Sequence, residues 1–143
     1  MKTRAKQKLD QDIAARLRGH GLRPTRQRIR LAGLLLDGCD RHVSPEDVYE
    51  QLNNGPDRLS RGTVYNTLRQ FCDAGLLAEV HGAGETLVYD TNLHDHHHFL
   101  NVETGELSDI HTGSVQLGKL PNLPDGYVLD AVELTIRIRK SGL

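Results

Sequence analysis

The sequence predicts an α+β fold, with a winged helix-turn-helix domain over residues 1–90 and a small α/β dimerisation domain over residues 91–143. Three observations lead to this prediction. Amphipathic helical segments fill the first half, two short β-prone runs around a glycine-rich turn follow, and the last segment alternates apolar and polar residues. Helices followed by a hairpin are typical of a winged helix, and a long alternating strand in a small domain requires a partner surface.

The charge of the chain divides unevenly, although the formal net charge is only −1. Up to Val80 there are 14 lysines and arginines against 10 acidic residues, and after it 4 against 9. The basic front half favours an anionic partner such as double-stranded DNA, although an ordinary solvated surface can carry an excess of this size.

The two cysteines, Cys39 and Cys72, form no Cys-x-x-Cys pair, which excludes a four-thiolate zinc site. Both are expected to be buried apolar side chains in a reducing compartment. No apolar run has the length of a signal segment or a membrane span, so the sequence predicts a cytoplasmic protein with no membrane partner.

The first two helices follow a basic N-terminal arm. Leu9, Ile13 and Leu17 recur at spacings of four and form one apolar stripe, which predicts a helix docked on the domain. Glycines at positions 19 and 21 end this helix. Thr25 is the expected N-cap of a second helix that runs to about Leu36.

The third helix is short and begins with strong local signals. Ser44 is the expected N-cap, Pro45 occupies the first helical position, and Asp47 lies close to the capping-box position. A fourth helix begins at Ser60 and ends before Gly75, which is expected to supply a left-handed C-terminal cap.

The fourth helix carries the residues expected to contact DNA. Val64, Leu68 and Phe71 lie at i, i+4 and i+7 and form its buried stripe. Cationic, amide and phenolic groups on the exposed N-terminal part of a helix suit readout of base edges in the major groove. The outward-facing residues are Arg61, Thr63, Tyr65, Asn66 and Arg69. Two β-prone runs, 76–81 and 85–90, then flank a turn of Gly82, Ala83 and Gly84.

Four of the eight histidines and one carboxylate fall at positions 94–98, as His94, Asp95, His96, His97 and His98. If the apolar residues that follow continue this segment as a strand, His96 and His98 share one face and His97 lies on the other. Paired imidazoles suit Zn, Mn, Fe or haem iron, whereas a solvated histidine-rich loop is the simpler alternative.

The back half predicts a hairpin of runs 99–102 and 106–110 around Gly105, followed by a short helical stretch over 114–120. The final segment, 128–139, alternates between apolar and charged or hydroxyl side chains. Such a strand predicts a homodimer, because two small units gain stability when they share a sheet and a core.

Several motifs in order and spacing resemble the ferric uptake regulator (Fur) superfamily over residues 21 to about 140. The motifs are Gly21-Leu22-Arg23-Pro24-Thr25, His42-Val43-Ser44-Pro45-Glu46-Asp47, Gly62-Thr63-Val64-Tyr65-Asn66-Thr67-Leu68, Ala74-Gly75-Leu76 and the histidine cluster. The resemblance implies a homodimeric winged-helix transcription regulator that binds a palindromic operator. It also implies a regulatory metal site of His42, Asp90, His96 and His98, with Asp109 at the fifth-ligand position of the peroxide-sensing branch. Tyr65 and Arg23 match the base-contacting and groove-contacting positions.

Two departures from the family pattern indicate which subgroup of the family the chain resembles. Asn101 and Thr104 stand where a structural zinc site usually begins with Cys-x-x-Cys, so that zinc is expected to be absent. The later positions of a further histidine and glutamate site correspond to Gln116 and Val132. With these departures, the chain resembles the iron response regulator (Irr) subgroup. Two further features carry this likeness: Asn66 after Tyr65, and the consecutive His96, His97 and His98. That likeness implies haem as an effector, with the histidine triplet as its contact, although the Cys-Pro haem motif of some members is missing.

The function predicted is therefore a transcription regulator of iron and haem homeostasis whose DNA affinity depends on a divalent metal, Mn, Fe or Zn, and on haem. A peroxide sensor, in which bound Fe(II) oxidises His42 or His96, and a simple metal-sensing repressor are alternatives of the same family. A more remote alternative is a non-haem Fe(II) enzyme, since two histidines and a carboxylate form the facial triad of oxygenases. Four or five protein ligands would close such a site to substrate, which favours a regulator over an enzyme.

Overall fold

The computed structural model describes residues 2–80, 84, 86–94 and 96–142, which form two compact units. The front unit contains the residues up to Val80 together with Thr86–Leu93, and the back unit contains the residues from His94 onward. The elements of the front unit are α1 (Lys2–Gly19), α2 (Arg26–Leu35), β1 (His42–Val43), α3 (Pro45–Leu52), α4 (Arg61–Asp73), β2 (Ala78–Glu79) and β3 (Tyr89–Asp90). Those of the back unit are β4 (His97–Asn101), β5 (Leu107–Ile110), the 3₁₀ turn Thr112–Ser114 and β6 (Thr135–Ile138). Among the described helices, none combines the length and apolar character that a membrane span requires.

Local capping sets the helix ends of the front unit. The Thr25 hydroxyl accepts the Arg28 N–H, and Ser44 and Asp47 form a complete capping box at the start of α3. At the end of α4, Gly75 has φ +81°, and the Leu76 and Gly75 N–H groups donate to the carbonyls of Phe71 and Cys72. This is a Schellman arrangement, which a residue with a side chain adopts only with strain.

The four helices and a small sheet enclose the core of the front unit. The sheet has the order β1-β3-β2 and is antiparallel, with His42 opposite Asp90 and Ala78 opposite Asp90 on the other side. Helix α1 contributes Ile13 and Leu17, and α4 contributes its predicted stripe of Val64, Leu68 and Phe71. The wing turn at Gly82 and Ala83 lies outside the described residues. This arrangement of helices and small sheets agrees with the α+β fold class predicted from the sequence.

Several details of the front unit differ from the sequence prediction. Helix α1 begins at Lys2, so Arg4, Lys6 and Lys8 lie on the helix and not on an arm before it. Leu9 is exposed, because the core of this unit reaches only Ile13 and the residues after it in α1. Cys39 is exposed in the loop after α2. Cys72 is half-buried, and burial raises the pKa of its thiol.

The back unit is a three-stranded sheet of order β5-β4-β6. Strands β4 and β5 form the predicted antiparallel hairpin around Gly105, whose φ is +77°. Strand β6 pairs with β4 in parallel and is only four residues long, so the predicted strand over 128–139 is wrong for its first seven residues. The predicted helix over 114–120 is also wrong, because only Thr112–Ser114 forms a 3₁₀ turn. Glycines at 113 and 118 and prolines at 121 and 124 interrupt that region.

Candidate functional site

The front unit brings His42 and Asp90 together. Strands β1 and β3 place these two residues opposite each other, and His42 Nε2 lies 3.0 Å from Asp90 Oδ2. The Asp90 side chain is 2% exposed, and its Oδ1 accepts the Asn92 N–H at 2.9 Å. A carboxylate buried to this degree requires charged or hydrogen-bonding partners, and the imidazole supplies one. Both residues were predicted as metal ligands from the resemblance.

The back unit assembles the other three predicted ligands. His98 lies opposite Asp109 in the β4–β5 hairpin, and His96 just before β4 approaches the same carboxylate. The Nε2 atoms of His96 and His98 each lie 3.3 Å from Asp109 Oδ1, and their ring centroids are 4.5 Å apart. The His96 Nδ1 atom is hydrogen-bonded to the carbonyl of His94, which orients the ring.

The geometry of this trio fits a divalent ion. The ligand atoms of His96, His98 and Asp109 all lie within 4.8 Å of one another. Two ligand atoms held about 2.1 Å from one ion in tetrahedral geometry lie roughly 3.4 Å apart. The nitrogen–oxygen distances of 3.3 Å are close to that spacing. Two imidazoles and a carboxylate form a donor set of borderline softness that suits Mn(II), Fe(II) or Zn(II).

His97 has a different environment from its two neighbours. It is buried, and its Nδ1 accepts the Leu134 N–H at 3.1 Å, next to the point where β6 joins β4. The imidazole tautomer that carries its proton on Nε2 allows Nδ1 to accept this bond. The sequence predicted that His97 lies on the face of the strand opposite to His96 and His98. It did not predict a structural role for His97, because its partner Leu134 lies 37 positions away.

We expect His97→Ala to destabilise the back unit by roughly 1–3 kcal/mol, because the Leu134 N–H loses its acceptor. His97→Asn is the matched control, since a side-chain carbonyl can accept the same N–H. Thermal unfolding followed by circular dichroism measures both variants. An alanine variant as stable as the wild type would contradict this role for His97.

Asn101 and Thr104, the two positions where the resemblance leads one to expect thiolates, hydrogen-bond the turn of the β4–β5 hairpin. Asn101 Oδ1 accepts the N–H groups of Glu103 at 2.9 Å and Thr104 at 3.3 Å. The Thr104 hydroxyl accepts the Glu106 N–H at 3.2 Å. Side-chain hydrogen bonds thus order the turn between β4 and β5.

Helix α4 presents the predicted recognition surface. Ser60 caps its start, and Arg61, Tyr65, Asn66 and Arg69 are exposed. Arg69 donates to Asn66 Oδ1 at 3.1 Å. Thr63 departs from the prediction of an outward-facing residue, because it is half-buried and its hydroxyl is hydrogen-bonded to that of Ser60 at 2.9 Å. Arg23 is exposed in the loop between α1 and α2.

Arg28 is a residue that the sequence interpretation missed. Its guanidinium donates to the carbonyl of Arg23 at 2.9 Å and to Gln70 Oε1 at 3.0 Å. One side chain thus connects the loop that carries Arg23 to helix α4. A long-range contact of this kind has no signature in a single sequence, where Arg28 is simply one of three arginines, at positions 26, 28 and 30, that alternate along the helix.

Comparison with known proteins agrees with the architecture. The model of the ferric uptake regulator family matches residues 19–136. The ferric uptake regulation protein of Neisseria meningitidis serogroup A is 32% identical over 103 residues, which are 71% of this chain and 72% of that protein. The protein of the same name from Escherichia coli K12 is 30% identical over 101 residues, covering 70% and 68% of the two chains.

Solved structures give the same result. A ferric uptake regulator from Pseudomonas aeruginosa, solved with manganese, has a TM-score of 0.69 and 27% identity, and the match covers 90% of this chain and 97% of that one. The ferric uptake regulator of Vibrio cholerae, at 23% identity and a TM-score of 0.66 over 89% and 98% of the chains, shows the same fold.

Fold and family together define a winged-helix transcription regulator. The chain belongs to the ferric uptake regulator family, whose members are metal-responsive, dimeric DNA-binding proteins and not enzymes. The prediction that the chain is a regulator is therefore confirmed, and the alternative of an Fe(II) enzyme is excluded.

Proposed function

We propose that this protein is a homodimeric regulator of iron and haem homeostasis, of the iron response regulator type, which binds palindromic DNA. The observation that carries the metal part is the trio of His96, His98 and Asp109, with nitrogen–oxygen spacings of 3.3 Å. The consecutive histidines 96–98 and the replacement of thiolates by Asn101 and Thr104 support the subgroup. The front domain, 1–90, would bind DNA, and the back domain, 91–143, would sense metal and pair the subunits in the cytoplasm.

A single regulatory ion would take its ligands from both units. His42 and Asp90 belong to the front unit, whereas His96, His98 and Asp109 belong to the back unit. Binding of one ion by these side chains would favour whichever conformation of the chain binds it best. We infer that this arrangement lets two recognition helices of a dimer reach successive major-groove faces.

Haem would act on the same histidines. Haem iron takes one or two imidazoles, so it would compete with the divalent ion for His96 or His98 and thereby weaken DNA binding. Haem binding by His97 is less compatible with its environment, because its ring is buried and bonded to Leu134. DNA-binding titrations of the wild type and of His97→Asn with and without haem, alongside absorption titrations of haem into each, separate these contributions. We expect the asparagine variant to retain the haem-dependent loss of DNA affinity.

Peroxide sensing is the second candidate function, favoured by the position of Asp109. Its Oδ1 lies equally close to His96 and His98, at 3.3 Å, and it matches the fifth ligand implied by the peroxide-sensing branch. Exposure of the Fe(II)-loaded protein to hydrogen peroxide, followed by mass spectrometry of peptides, distinguishes the candidates. Addition of one oxygen atom to His42 or His96 at stoichiometric peroxide would favour the sensor. Unmodified histidines together with haem-responsive DNA binding would favour the iron response regulator.

The exposed phenol of Tyr65 is expected to contact base edges. We expect Tyr65→Ala to weaken binding to a duplex selected by the wild type by about 1–3 kcal/mol, with little effect on random DNA. Fluorescence anisotropy with the two duplexes measures the difference. Arg23→Ala is the comparison variant, and it should weaken both complexes and reduce the salt dependence. An equal loss on both duplexes for Tyr65→Ala would exclude base reading.

A further inference from the structure

Arg61, the first residue of α4, is held by two side chains of α3. Its Nη2 lies 2.9 Å and its Nε 3.2 Å from Glu46 Oε1, and Nε lies 3.4 Å from Glu46 Oε2. Its guanidinium carbon lies 4.3 Å from the centre of the Tyr49 ring. The side chain nevertheless remains 62% exposed, so it is accessible to a partner. The hydrogen bonds to Glu46 also raise the pKa of Arg61 above its already high ordinary value.

The geometry leaves a defined set of donors on Arg61. A guanidinium has five N–H groups in one plane, and Glu46 engages its side edge, formed by Nε and one N–H of Nη2. Within the described residues, Nη1 makes no hydrogen bond, so the outer edge formed by Nη1 and Nη2 can still donate two parallel bonds. Tyr49 beneath the plane restricts its rotation, because a cation is stabilised over an aromatic face.

We propose that Glu46 and Tyr49 are specificity-determining residues that hold Arg61 in the orientation for reading a guanine in the major groove. Two parallel N–H donors match guanine O6 and N7, whereas a phosphate is bound largely through charge. Glu46 neutralises that charge while leaving the two donors in place. Phosphate attraction falls and guanine recognition is retained, which raises discrimination between operator and other DNA. This inference rests on the proposed function.

The test is selection of binding sites from a library of randomised DNA duplexes, performed with full-length protein loaded with Mn(II). We expect the wild type to enrich one guanine in each half-site that Arg61→Ala no longer enriches. The preference for that guanine over other bases should fall roughly 5- to 150-fold in Arg61→Ala, the range for a good bidentate contact. Arg61→Lys keeps the charge but not the planar fork, and should lose the same preference while it retains its affinity for random DNA.

Glu46→Gln tests the positioning role. We expect a several-fold loss of guanine preference, together with tighter binding to random DNA and a salt slope steeper by about one, because the Arg61 charge is then available to phosphate. Glu50→Gln removes the same charge from an exposed position on α3. It should change none of the three quantities: the guanine preference, the affinity for random DNA or the salt slope. Tyr49→Leu should lower the preference without changing the salt slope.

The outcomes separate the inference from the proposed function. A wild type that selects no sequence would overturn both. A wild type that selects a palindrome in which no base depends on Arg61 would overturn the inference alone. Equal losses on selected and random DNA in Arg61→Ala, with a shallower salt slope, would assign Arg61 to a phosphate and also overturn it.

Discussion

His96→Ala combined with His98→Ala should reduce Mn(II) affinity at least 100-fold. In the proposed metal site these two imidazoles would supply the nitrogen ligands of the back unit, and each lies 3.3 Å from Asp109 Oδ1. Loss of a single outer-sphere partner of a metal ligand already costs about 10- to 100-fold in affinity, so loss of two direct ligands should cost more. Isothermal titration calorimetry with Mn(II) at constant pH measures the effect.

His20→Ala is the matched control for the double variant. His20 is exposed at the end of α1, where its Nδ1 is hydrogen-bonded to the carbonyl of Arg16 at 2.9 Å. Its replacement removes a histidine without touching the trio, and we expect wild-type Mn(II) affinity. Circular dichroism should show that the double variant keeps the wild-type helix content. Unchanged Mn(II) affinity in a folded double variant would refute the assigned ligands.

The second large effect is expected at the subunit interface, where Ile136→Glu should convert the dimer into monomers. The described part of the back unit exposes a large set of apolar side chains, and extensive exposed apolar surface is typical of sites that contact another protein. These side chains are Leu117, Leu120, Leu123, Tyr127, Val128, Leu129, Ile136 and Ile138. An unpaired charge buried in an interface costs about 3–5 kcal/mol, and a twofold dimer contains two copies of the substitution.

Sedimentation velocity at micromolar concentration measures this effect. Arg137→Glu is the control, because it places the same side chain on the opposite face of β6. We expect this control to remain dimeric. If Ile136→Glu also remained dimeric, β6 would not belong to the interface.

The front unit could be predicted closely from the sequence because its signals are local. Ser44 and Asp47 cap α3 across three residues, and Gly75 ends α4 with a positive φ that its missing side chain permits. The helical spacing of Val64, Leu68 and Phe71 indicated the buried face directly. Helix ends and buried stripes of this kind depend only on residues within one or two turns.

The back unit was predicted less well, because alternation assigns faces and not strand length. A strand extends only where another backbone pairs with it, and β6 pairs with β4 over four residues, Thr135–Ile138. The bond from Leu134 to His97 shows the same dependence on distant partners. The metal ligands could be predicted because they lie in family motifs. The contacts of Glu46 and Tyr49 with Arg61 could not be predicted, because they join two helices that only the fold brings together.

Metal binding is expected to control DNA affinity, and a single titration can show whether it does. Fluorescence anisotropy would follow the binding of a duplex selected by the wild type, at fixed salt, to metal-free and Mn(II)-loaded protein. A coupling free energy of 1–3 kcal/mol, typical of linked sites, predicts roughly 5- to 150-fold tighter binding with Mn(II). The double variant lacking His96 and His98 should show no such difference. Equal affinities of the metal-free and Mn(II)-loaded wild type would show that Mn(II) does not control DNA binding.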